Sequence, residues 1–486
     1  MTTRIKIPTV GGSYQHDSKP FDSQLTINLF PERGGPQSKS PAILRRTPGS
    51  NLFVNIPGTG PIRGEYATST GRHFAVRDNI PREISSTGTL TDRGYLNSAS
   101  GVVNMTDYGT AMAIADGTNI YEYDLSTNAL TAVTDASAPD NTPVVDMADG
   151  YIFGFDPDSE ILGRFGHSNI NDVTTWNALD FYNAEGSPDK LIMLKVLNRE
   201  VWLFGSKSFE VYYNRGGDNT GNNPTWARRM GTFKQIGCGA KNSVTVIGGK
   251  IFWLGASKDG ENIIWTADGY QPRRISTRAL ESEISTFSSV EDAESFTYEY
   301  EGHYFYCLTF NVGNKTFVYD VTEGEWHNWA HRNTTTGVQQ RHRAVTHAFV
   351  NRTNYVGDYA NGNIYELSKT TYTDNGDPIT WERQFPYFDT MERRLSWFML
   401  QIDALTGTAE LDNTIDVIQI RWSDDGGRTW KNWHPMSLGK RGEYGTRVMK
   451  WMLGMSRDRI YHIRSSEPIP MTIQDNTVAD VEVSDD

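Results

Sequence analysis

The chain has 486 residues, 37% of them hydrophobic, 12% aromatic and 22% charged, with 46 Lys and Arg against 59 Asp and Glu for a net charge of −13. That aromatic content excludes a disordered polymer, and two cysteines, Cys238 and Cys307, exclude a disulfide scaffold. No run approaches the ~18 apolar residues of a membrane span, and the opening MTTRIKIPTVGGSY lacks the apolar centre of a secretory signal, so synthesis in a cytosol is expected. The acidic balance argues against a surface that coats DNA.

Taken in chain order, residues 1–60 are rich in Gly and Pro, with one strand-like run at 25–30 (LTINLF). A hairpin pattern then repeats. Weak copies stand at 72–76 (RHFAV) and 110–115 (TAMAIA). Clear ones follow at 150–155 (GYIFGF), 200–205 (EVWLFG), 250–255 (KIFWLG), 303–308 (HYFYCL) and 354–359 (NYVGDY). Tyr151, Val201, Ile251, Tyr304 and Tyr355 hold equivalent places, so the period is about 50 residues. Each copy leads through a polar turn into a second strand, as in DGTNIYEYD at 116–124 and NGNIYEL at 361–367. One hairpin cannot bury both faces, whereas four-stranded blades packed around an axis do. The pattern therefore predicts an all-β fold: a β-propeller of six or seven blades over 61–380, preferred to a large sandwich. The one helical signal is 277–287, where Leu280, Ile284 and Phe287 share a face.

The turn-rich stretch 371–378 reads as a linker. Beyond it, 397–402, 416–422, 448–453 and 461–464 read as strands of a sandwich-like C-terminal domain spanning 381–486. The acidic tail from 478 reads as frayed.

Motifs of chemistry are missing. There is no G-x-S-x-G elbow and no phosphate-binding loop, and both cysteines sit in apolar strand-like runs. His327, His331, His342 and His347 cluster in sequence without helical context, so packed or surface imidazoles are favoured over metal ligands. The Asp374-Asn375-Gly376-Asp377 run lacks the further acids of a calcium loop and reads as a turn. No catalytic, cofactor or metal residues are assigned.

Two local features remain. Ser423, Asp425, Gly427, Thr429 and Trp430 match the Asp-box S-x-D-x-G-x-T-W, a structural turn in which the carboxylate accepts backbone N–H groups and the Trp is expected to anchor in an apolar layer. Asp-boxes recur in sialidases, which are propellers, so a glycan-binding or sialidase-like protein is the alternative reading. A single box outside the repeat favours the structural role. Between 439 and 464, Lys440, Arg441, Arg447, Lys450, Arg457, Arg459 and Arg464 face only Glu443 and Asp458. Such a stretch suits DNA phosphates, an acidic partner protein or a solvated face of local ion pairs. Tyr444, Trp451 and Tyr461 alternate within it as core-facing positions would.

Ordered runs along most of the chain after about residue 60 resemble the packaged-DNA stabilisation proteins of short-tailed bacteriophages, the tail hub or nozzle family. They are VTTWNALDF at 173–181, EVWLFGSKSFEVYY at 200–213, GCGAKNSV at 237–244, IFWLG at 251–255 and GYQPRRIST at 269–277. FVYDVTEGEW at 317–326, VGDYANGNIYEL at 356–367, 420–430 and 442–459 complete the set. The resemblance implies a virion tail protein, made in the host cytoplasm, without enzymatic activity, cofactor or membrane insertion. It implies a six-fold ring below the portal and its adaptor, extending the DNA channel, retaining packaged double-stranded DNA and docking fibres, spikes or a needle. By that resemblance the propeller projects outward while 1–60 and 381–486 build the channel-lining platform; no distinct needle or tip insertion is identifiable. Lys440, Arg441, Arg447, Lys450, Arg457 and Arg459 then become a candidate contact with a neighbouring subunit or the adaptor, and the acidic remainder a wall that does not hold DNA.

Overall fold

The repeated hairpins are the second and third strands of successive four-stranded antiparallel sheets. In the computed structural model, which describes residues 2–16, 18, 21–184, 186–217, 224–257, 260–390, 393–409 and 414–484, seven such sheets surround one axis. Their inner strands are Ile62–Ala67, Asn104–Asp107, Asp146–Ala148, Leu191–Leu197, Thr245–Ile247 with Gly237–Cys238, Ala293–Tyr300 and Ala344–Val350. The copies read from sequence are the second strands, from His73–Arg77 to Thr353–Asp358. The fold is thus a seven-bladed propeller followed by a sandwich, the expected all-β class.

A shared turn explains why the copies were visible. In blades three to seven, two residues join the first and second strands: Asp149-Gly150, Asn198-Arg199, Gly248-Gly249, Glu301-Gly302 and Asn351-Arg352. All ten have positive φ, the geometry whose twist matches paired strands. Gly, Asn and Asp take it most cheaply, so Arg199 at 64°, Glu301 at 51° and Arg352 at 66° carry local strain.

Side chains stitch neighbouring inner strands together. Asn104 accepts from the Val145 amide at 3.1 Å and Asp146 from the Val196 amide at 2.9 Å. Ser295 and Thr297 donate to the carbonyls of Asn242 and Val246, and Thr346 donates to Glu65. The predicted helix is present at Arg278–Ser285, capped by Thr277, with Leu280 and Ile284 packed against Phe252, Leu254 and Phe310.

The N-terminal segment is not a separate layer. Gly49–Asn55 is the fourth strand of blade seven, paired with Asn363–Ser368, and closes the ring. Ser23–Ile27 pairs with Trp381–Gln384 on one side and meets the outer strand of blade six, Glu325–Asn328, on the other. One continuous sheet therefore runs from blade six into the sandwich through Asp458–Ser465, Val417–Ser423 and His434–Ser437. The facing sheet is Thr3–Lys6, Val478–Val483, Leu395–Ile402 and Val448–Ser456. Trp381, Trp397, Leu400, Ile420 and Ile463 fill the space between.

Two readings are corrected here. The tail expected to fray forms a strand, Val478–Val483, held between Thr3–Lys6 and Leu395–Ile402 with Ala479 and Val481 buried; 485–486 lie outside the described residues. Its alternating apolar residues outweigh its acids once a partner strand is present on each side. The stretch 371–378 is more than a linker: Thr373–Asp374 and Asp377–Pro378 form a small hairpin, and Asp374 pairs with Ser50 of the closing strand.

Candidate functional site

The basic stretch forms the outer edge of the sandwich. Val448–Ser456 is the edge strand of its sheet, so one row of its backbone groups has no strand beside it among the described residues. Its pairing with Leu395–Ile402 shifts register between Trp397 and Met399, and Met452 takes φ 60° opposite that shift. A bulge re-aims side chains. Trp451 is 55% exposed, Met452 92% and Met455 52%, with Phe398 of the adjacent strand also exposed. Tyr444 and Trp451, read as core-facing, are therefore on the surface, and only Tyr461 is inside. Alternation alone does not reveal a bulge, which is why this apolar edge was missed.

The cations divide into two groups. Lys440, Arg441, Arg447 and Arg457 are exposed around this edge, and Lys450 is half-buried on it. Arg459 is not available to a partner: it is fully buried, its Nε donates to Asp424 at 2.7 Å, and its guanidinium lies over Trp397 at 5.0 Å. A cation enters this core because a carboxylate and aromatic faces replace its water. Arg464 likewise stacks on Trp433 at 4.0 Å and donates to Gln419.

The Asp-box folds as its residue types require. Asp425 accepts from the amides of Arg428 at 3.0 Å and Thr429 at 2.8 Å and from the hydroxyls of Thr429 and Ser423; Ser423 in turn accepts from the Gly427 amide at 2.9 Å. Led by the Thr429 hydroxyl, these donors lower the Asp425 carboxyl to about 2. Gly426 and Gly427 both have positive φ. Trp430, however, does not enter an apolar layer. It is half-buried against the Arg421 guanidinium at 4.7 Å, and Trp433 packs on the same cation at 4.4 Å.

The histidines are packed rather than convergent. His331 pairs with Asp374 at 2.8 Å, His347 with Asn354 at 2.9 Å, and His342 stacks on Trp329 at 3.7 Å between centroids. His327 is buried, and neither ring nitrogen has a hydrogen-bond partner among the described residues. Among the described residues no three His, Cys, Asp or Glu side chains are grouped to hold a metal ion. Cys238 and Cys307 are buried free thiols, the first pushed up to about 12 by burial. The Asp374–Asp377 run is the tight turn expected, with Asn375 and Gly376 at positive φ. No helix among the described residues is long and apolar enough to cross a membrane.

Comparison with known proteins agrees with this architecture. The family profile described as bacteriophage P22 Gp10, beta-propeller, matches residues 5–372, and that described as bacteriophage P22 Gp10, beta-sandwich, matches 380–481. No curated protein sequence matches the chain. Similar solved structures include the WD40 propeller domain of Doa1, at 12% identity and TM-score 0.41 over 66% of this chain and 97% of that one. Virginiamycin B lyase from Staphylococcus aureus shows 12% identity and TM-score 0.44 over 65% and 97%. A chain of the mitotic checkpoint complex shows 9% and 0.45 over 74% and 98%. With its propeller and its sandwich matched in order along nearly the whole sequence, the chain belongs to the bacteriophage P22 Gp10 family, the packaged-DNA stabilisation proteins of short-tailed phage tail hubs.

Proposed function

We propose that the protein acts without enzymatic activity as one subunit of a six-fold ring in the virion tail, seated below the portal and its adaptor. The ring continues the DNA channel, retains packaged DNA until ejection, and offers its outward surfaces to fibres, spikes or a needle. The observation that carries this reading is the match of both family profiles, propeller then sandwich, across the chain.

The sandwich edge is the surface we assign to the neighbouring subunit or the adaptor. Exposed Trp451, Met452 and Met455 supply apolar area, and Lys440, Arg441, Arg447, Lys450 and Arg457 surround it with positive charge in a chain of net −13. A second copy, with the same excess of acidic groups, offers the opposite charge overall. Six copies of an acidic chain make a passage that repels DNA phosphates, which suits transit better than binding. Double-stranded DNA then passes without sequence specificity.

Native mass spectrometry of the purified protein, alone and with its adaptor, tests the reading. The triple variant Lys440→Glu, Arg447→Glu, Arg457→Glu is expected to lose the ring while each subunit stays folded. A monomer under every condition overturns the ring. Unchanged assembly with lost DNA retention moves these cations to a DNA contact, and turnover of a sialoside substrate overturns the non-enzymatic reading.

A further inference from the structure

A cavity of about 830 Å³ opens on the propeller axis at the end where the inner strands begin. Its size lies in the range of roughly 300–1,000 Å³ typical of ligand sites. Blades five, six and seven give it a polar wall. Arg341, just before the inner strand of blade seven, lays its guanidinium over the Tyr359 ring at 3.7 Å from the centroid. Among the described residues it makes no ion pair and no side-chain hydrogen bond, so a planar donor fork is held in place with its donors unused. Lys241, in the short turn before the inner strand of blade five, is exposed and has no ion-pair partner among the described residues.

Acceptors stand beside these donors. Glu294, on the inner strand of blade six, lies within the field of Arg341, and burial raises its carboxyl. Asn311 lines the same cavity; its Nδ2 donates to the Asp292 carbonyl at 3.0 Å while its Oδ1 is buried without a donor among the described residues. An orphan acceptor costs free energy until a donor reaches it. The wall therefore combines unused cationic donors with the orphan Asn311 oxygen and the Glu294 carboxyl, which already has a hydrogen bond with Asn311. A ligand that satisfies both carries an anionic group and hydroxyls together. The neighbouring Glu294 carboxyl disfavours a doubly charged phosphate and tolerates a single carboxylate more readily.

We propose that the propeller mouth is a binding site for a carboxylate-bearing oligosaccharide, its carboxylate on Arg341 and Lys241 and its hydroxyls on Glu294 and Asn311. The site recognises without turnover.

Isothermal titration calorimetry with trigalacturonate tests this, with maltotriose and inorganic phosphate as controls. Saturable trigalacturonate binding is expected, weakened about tenfold or more in the Arg341→Ala, Lys241→Ala double variant and in the neutral maltotriose. Arg341→Lys keeps the charge but not the stacked fork and is expected to fall between. Circular dichroism and thermal melting establish that the variants are folded. Absence of saturable binding, equal affinity in the double variant, or phosphate binding as tightly as trigalacturonate overturns the proposal. Both changed positions lie on the propeller, so ring assembly of the double variant is expected to match the unaltered protein, which separates this test from that of the tail ring.

Discussion

His327 packs between Phe30 and Phe305, with both ring nitrogens buried and unpaired among the described residues. Burial lowers it to about 4, and burial lowers His342, flat against Trp329, to about 4 as well. Both imidazoles stay neutral in the fold but take a proton near pH 6.5 once unfolded. Stability is therefore present above pH 6.5 and falls as pH drops from there towards 4. His303 has the opposite sign: its hydrogen bond to Asp320 at 2.7 Å raises it, so its contribution is full below pH 6.5 and fades as pH rises through the raised value. Urea unfolding at pH 7.5 and 4.5 checks the balance. His327→Leu is expected to recover about 2–3 kcal/mol of the acid loss, with little cost at pH 7.5 because it removes two unsatisfied polar atoms. None of this is legible in the sequence, where four nearby histidines look alike; burial differs because their strands enter different layers.

Elements differ in how much of them the sequence revealed. The second strand of every blade was legible, because its apolar run and the turn before it are local. Four sandwich strands, at 397–402, 416–422, 448–453 and 461–464, were legible for the same reason. Edge and arm were not. The exposure of Trp451 and Met452 depends on a bulge set by register with a strand some fifty residues earlier in the chain. The arm depends on Arg383, a fully buried guanidinium on Trp381–Gln384. Its donors reach the carbonyls of Thr9 at 2.6 Å and Gly12 at 3.0 Å, the Thr26 hydroxyl at 2.8 Å and the Gln24 amide oxygen at 2.7 Å. No carboxylate among the described residues makes an ion pair with it, and burial lowers it to about 10. Arg383→Leu leaves those acceptors buried without donors and is expected to cost roughly 3 kcal/mol or more. Limited proteolysis is expected to cut first within residues 9–26; an unchanged digestion pattern sinks the clamp.

At the scale of the molecule, the two ends of the chain share every closing contact. Gly49–Asn55 completes blade seven, Thr3–Lys6 completes the sandwich sheet beside Val478–Val483, and Ser23–Ile27 joins blade six to the sandwich. Such pairings close long loops, so the ring gains its last strand only when distant segments meet. Leu52→Pro, at a half-exposed position of the closing strand, is expected to cost about 3 kcal/mol or more by breaking its pairing with Tyr365. In hydrogen exchange, amides of 344–368 and 62–92 are expected to lose protection together, because blades seven and one pack on each other. Loss confined to 49–55 refutes closure as a coupling device.

The sequence by itself determined the all-β class, the repeated hairpin, the lone helix, the Asp-box turn and the family, since strand alternation, turn residues and ordered motifs are written locally. Only the tertiary structure decided that seven blades close through Gly49–Asn55, that the acidic tail is an inner strand, and that Arg459 lies in the core while Trp451 lies outside it. Each of these depends on a strand far away in the chain: burial and register are properties of paired segments, and neither partner carries them alone.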